Sequence, residues 1–89
     1  METDTALSPW QQLELLQAEL VARGWAPELR GTEHQPYLCV ANPDDPGLNG
    51  MVTASHGHYR WTWGPVLGPL EDVPRTADTI LTVLREVGP

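Results

Sequence analysis

Apolar residues recur every three or four positions near both ends of the chain and at alternate positions in its middle, so helices are expected to bracket a sheet. The first periodic stretch opens at Ser8. A serine there can cap a helix, Pro9 suits the first helical position, and Gln11 completes a Ser-x-x-Gln capping box. Trp10, Leu13, Leu16 and Leu20 form the apolar stripe, with Leu15, Ala18, Val21 and Ala22 expected to widen it. Gly24 stands where a left-handed residue ends a helix. Before Ser8 the polar Met1–Leu7 segment reads as a frayed arm, leaving residues 8–89 as a single domain.

The second periodic stretch carries Val73, Ala77, Ile80, Leu84 and Val87, with Leu81 and Val83 expected to broaden the face. Asp72 is its N-cap, Pro74 fits the first turn, Arg85 lies near the negative end, and Gly88 stops it. Thr76, Thr79 and Thr82 lower its intrinsic propensity, so packing must hold it in place.

Between these helices the period shortens to that of extended chain. Tyr37–Ala41, Met51–Ser55 and Tyr59–Trp63 read as strands, and His56-Gly57-His58 supplies a glycine for a tight hairpin. Asn42 to Gly47 reads as a turn-rich loop. Trp25–Arg30 is a short first strand that Pro27 confines to an edge or demotes to a loop. The Gly and Pro residues between Gly64 and Pro69 argue against regular structure there. The predicted fold class is α+β: a two-layer sandwich of helix, three or four antiparallel strands and helix, with both helices on one sheet face. The other sheet face is then open to solvent or to a partner.

A chain of 89 residues supports one core and no second domain, burying somewhat over ~60% of its unfolded surface. Twelve acidic residues against five arginines, with no lysine, give a formal charge of −7. That balance argues against a grip on nucleic-acid phosphate or an anionic membrane surface. No apolar run approaches a bilayer span, and the acidic start lacks the basic region of a secretion signal, so a cytoplasmic protein is expected.

The candidate chemistry is thin. His56 and His58 flank a glycine without a recognised metal-ligand spacing, and Cys39 lies in an apolar strand where a thiol behaves as a small hydrophobe. Asp44-Asp45 and Glu71-Asp72 are accounted for by a turn and a cap. No catalytic residue, metal or cofactor is assigned. The unusual feature is four tryptophans and two tyrosines without a single phenylalanine. Alternation places Tyr59, Trp61 and Trp63 on one sheet face. If that face meets the helices the rings are core; if it looks outward they form a binding patch. The candidate contact residues are therefore Tyr59, Trp61, Trp63 and Trp25, with Arg60 and Arg30 as polar companions.

The run Tyr37-Leu38-Cys39-Val40-Ala41-Asn42-Pro43, followed by Tyr59-Arg60-Trp61-Thr62-Trp63-Gly64 and a closing helix, resembles a group of short proteins from high-GC actinobacteria such as Streptomyces. These share an L-x-V-x-N-P strand and a W-x-W-G strand, and the resemblance covers about Leu13 to Leu84. It implies a cytoplasmic protein often encoded near helix-turn-helix regulators, with no known activity and no catalytic residue. The expected function is that of a non-enzymatic accessory protein binding a protein partner or itself. The alternative is a small-molecule or peptide binder whose pocket is lined by Trp61, Trp63 and Trp25 beside the Gly64–Pro69 segment.

Overall fold

The computed structural model describes residues 8–62 and 64–84, with Pro46 described by its backbone alone. Its elements follow in the order α1 (Pro9–Ala22), β1 (Glu28–Gly31), β2 (Pro36–Asn42), β3 (Asp45–Ser55), β4 (His58–Trp61), β5 (Val66–Pro69) and α2 (Val73–Leu84). The strands form one antiparallel meander in the order β1-β2-β3-β4-β5. The protein is thus α+β, with five strands where three or four were expected.

Both helices begin as their sequences dictate. In α1 the Gln11 amide donates to Ser8 Oγ at 3.2 Å, and the Ser8 amide donates back to Gln11 Oε1 at 3.0 Å. Gly24 ends it at φ +89°, where the Trp25 amide reaches Leu20 O and the Gly24 amide reaches Val21 O, both at 3.0 Å. These two bonds are a Schellman closure. Asp72 caps α2 by accepting from the Arg75 amide at 3.2 Å. The helix stripes are narrower than expected, because Leu15, Ala18, Val21, Ala22 and Val83 face solvent. One sheet face is only wide enough for the Leu13/Leu16/Leu20 and Ala77/Ile80/Leu84 rows, and these are buried. Val87, Arg85, Gly88 and the Met1–Leu7 arm lie outside the described residues.

The Gly64–Pro69 segment corrects the sequence reading, since Val66–Pro69 is a strand. Its prolines are compatible because β5 is an edge, and Pro69 sits at the strand's end. A register shift between Tyr59 and Arg60 leaves Leu67 between two ladder pairs and turns it into the core. Gly68 then lets α2 approach, since a Cβ there would lie 2.5 Å from Thr76 Oγ1. Trp25–Arg30 resolves as an edge strand that begins after Pro27, at Glu28. The Asn42–Gly47 stretch is a turn only at Pro43-Asp44. Pairing jumps from Ala41–Asn49 to Asn42–Asp45, bulging residues 46–48 within β3. The His56-Gly57 hairpin is as expected, with both residues at positive φ (51° and 81°) between the paired Ser55 and His58.

Register decides what each sheet face presents. Leu38 lies opposite Val52 and Val52 opposite Trp61, so these residues share the inner face with Val40, Ala54 and Tyr59. That face, α1 and α2 enclose a single core cluster, with Trp25, Leu29 and Val73 packed at its margin.

Candidate functional site

The β4 alternation resolves the fork left open by the sequence. Tyr59 is completely buried and Trp61 is 2% exposed, so both rings belong to the core beneath the helices. Tyr59 also serves as a polar anchor: its hydroxyl donates to the Gln12 carbonyl at 2.6 Å, and burial pushes its pKa from 10.0 to about 12. Trp61 packs against Gly50, where an added Cβ would sit 2.6 Å from the ring. Trp63 lies outside the described residues.

The remaining candidates are dispersed. Trp25 is half-buried after α1, beside a cavity of about 160 Å³ shared with Asn42, Pro43, Asp44 and Leu81. Trp61 borders a different depression, with Thr53, Arg60, Thr62 and Gly64. The pocket expected from Trp61 and Trp25 together is therefore not assembled by these two rings. Arg30 is held on its own strand by Glu28, whose carboxylate it meets at 2.7 Å and which makes the guanidinium harder to deprotonate. Arg60 is exposed on the outer face and forms no ion pair with another described residue.

Besides Arg60, a candidate from the sequence, the outer face gathers residues that the sequence reading left unassigned. Cys39 lies opposite Met51, Thr53 opposite Arg60, and Arg60 opposite Val66. Met51 and Val66 are 43% and 49% exposed, and Tyr37 and Cys39 are half-buried. At one end of this face lies an open cavity of about 690 Å³, bordered by Pro9 at the start of α1 and by His34, Tyr37, Met51, Thr53 and Ser55. A signal for it exists in the sequence: Tyr37 and Met51 are apolar but out of phase with Leu38/Val40 and Val52/Ala54. In a strand with one wet face those positions should be polar.

The face is also poor in negative charge. Among the described residues, acids cluster on the helices and turns: Glu14, Glu19, Asp78, Glu33 and Asp44. The outer rows of the five strands hold Glu28, already paired, against Arg30 and Arg60. His56 and His58 sit exposed at the hairpin, with His58 Nδ1 3.1 Å from the His56 carbonyl. Among the described residues no cluster of His, Cys, Asp and Glu is arranged to hold a metal ion, and no helix is long and apolar enough to cross a membrane.

The two motifs that carry the actinobacterial resemblance have structural roles. Asn42 is buried, donates Nδ2 to the Leu84 carbonyl at 2.9 Å and accepts the Asp44 amide at 2.8 Å. It thereby ties the last turn of α2 to the β2–β3 turn. Trp61, from the second motif, fills the core above Gly50. Comparison with protein-family models, curated proteins and solved structures finds no match to this chain.

Proposed function

We propose that this protein is a non-enzymatic interaction module whose contact surface is the outer face of its sheet. One observation carries the reading: among the described residues the five strands are covered by helices on one side only, and the other side displays Tyr37, Met51, Val66 and an Arg60 without an ion-pair partner. An aromatic, a methionine and an arginine on a face depleted of acids are the residue types that dominate protein contacts. Two-layer α+β folds commonly leave one face to water, and such a face is then polar on alternate positions. Here it is not.

The alternative reading, a small-molecule or peptide binder, rests on the 690 Å³ depression, whose size falls within the usual range of ligand sites. It no longer rests on Trp25, whose cavity of about 160 Å³ lies below that range. A cytoplasmic setting and actinobacterial kinship belong to the same proposal, on the acidic composition and the two strand motifs.

Photocrosslinking in the cell that makes the protein separates the two sides of the molecule. A photoreactive aromatic residue placed at Thr53 should yield protein adducts, and the same residue placed at Leu15 on α1 should not. Adducts from Leu15 alone, or from neither position, would refute the outer face as the contact surface.

A further inference from the structure

We infer that the occupant of the outer face is a second copy of this chain, stacked face to face about a two-fold axis that runs along β3. The inference rests on the outer face being the contact surface, and it follows from how residues are spaced across the strands. Thr53 on β3 lies opposite Arg60 on β4. By the register that pairs Leu38 with Val52, Tyr37 on β2 flanks Thr53 from the other side. Tyr37 and Arg60 therefore stand one strand, about 4.8 Å, to either side of Thr53. An axis beneath Thr53 exchanges the two flanks, so that each Arg60 guanidinium lies over the Tyr37 ring of the other copy. Both contacts form at once, as an isologous interface requires, and each is a cation–π pair between groups whose chemistry matches. Aligned sheet packing rotates the layers by about 30°, which displaces residues this close to the axis by only ~2–3 Å. Arg60 has no ion-pair partner among the described residues of its own chain, so it is free to make this contact.

Charge supports the same occupant. Two chains of formal charge −7 repel, and they can associate only through the surface where that charge is thinnest. The outer face, with Glu28 neutralised by Arg30, is that surface. Exposed apolar side chains also occur on the helices, at Leu15, Val21 and Val83. There, however, Glu14 flanks the α1 pair and would meet its own kind across a two-fold, while Glu19 is held by Arg23 at 3.0 Å. Five strands at about 4.8 Å and some five residues of about 3.3 Å give a face of roughly 400 Å² per copy. That is at the small end for specific pairs, so a weak, exchanging dimer with Kd of about 10–100 µM is expected.

Sedimentation equilibrium across that concentration range, read together with the alkylation rate of Cys39, provides the test. Cys39 is half-exposed on this face and opposite Met51, so dimerisation should slow its modification as protein concentration rises. The wild type should approach twice its 9.8 kDa mass, and rising salt should strengthen the association by screening the net repulsion. Arg60→Glu and Met51→Asp should each leave a monomer with constant Cys39 reactivity and, at concentrations well below the wild-type Kd, an unchanged melting curve; Leu15→Asp should still dimerise. A wild type that stays monomeric at every concentration overturns the second copy while leaving the outer face available to another protein. A dimer that leaves Cys39 unprotected, or that survives both outer-face substitutions, overturns the geometry. An association that weakens with salt overturns the charge argument, because it would be the behaviour of opposite charges meeting.

Discussion

The two faces of this sheet are built from the same strands and alternate residue by residue, yet they answer to different constraints. On β4, Tyr59 and Trp61 point inward and are sealed by helices, whereas Arg60 between them is exposed. On β2, Leu38 and Val40 are buried while Tyr37 and Cys39 are only half-covered. The inner face is shaped to close tolerance, with Gly50 clearing space for the Trp61 ring and Gly68 for Thr76. On the outer face Gly31 likewise leaves room beside the Tyr37 ring, but Met51 and Val66 stay accessible. If the outer face is the contact surface proposed above, stability belongs to one side and recognition to the other, and substitutions should separate them.

The largest effect should come from Trp61→Ala. Emptying the space of a buried ring costs about 3–5 kcal/mol, a large share of the stability of so small a domain. Chemical denaturation should show the midpoint collapsing or the protein failing to fold. Gly50→Ala attacks the same contact from below by forcing a methyl into the Trp61 ring, at a cost of about 1–3 kcal/mol. If Gly50→Ala melted like wild type, the ring would not be packed against that strand.

Asn42→Ala should cost about 1–3 kcal/mol, because it strands the buried Leu84 carbonyl and frees the Asp44 amide. Thermal melting measures the loss, and hydrogen exchange should localise it to the last turn of α2. Tyr59→Phe gives a smaller, pH-dependent effect. The folded hydroxyl titrates at about 12 against 10.0 for an ordinary tyrosine, so its stabilisation is complete below pH 10 and is lost as pH rises toward 12. Between those values wild-type stability should fall, and the fall should be shallower in Tyr59→Phe. At the bottom of the scale, Arg60→Ala should change stability by no more than about 0.5 kcal/mol. It should weaken association nonetheless.

The helices were legible because their ends are written in local chemistry: Ser8 with Gln11, Gly24, and Asp72 each act on backbone groups within a few residues. Strands β2, β3 and β4 were legible in their alternation, and the hairpin in Gly57. Strand β5 was hidden, because its Gly and Pro residues speak against a strand. What stabilises it is non-local: a bulge beside Tyr59, and Thr76 of α2 pressed against Gly68. The aromatic fork could not be settled locally either. Alternation shows which residues share a face, but only the pairing of Leu38 with Val52 and of Val52 with Trp61 shows which face the helices cover. Once register is known, Tyr37 and Met51 become the out-of-phase apolar residues on the wet side. The tryptophans, the most conspicuous residues in the composition, divide among different settings: Trp61 is core and Trp25 packs at its margin.

Thermal melting and sedimentation equilibrium on Met51→Asp, run beside the wild type, test this division of labour most directly. Met51 is 43% exposed on the middle strand of the sheet, opposite Cys39. Separate roles for the two faces predict a melting curve that coincides with wild type when both are melted well below the wild-type Kd, and a monomer mass at concentrations where wild type dimerises. A variant that melts much earlier, or one that associates as wild type does, would contradict it.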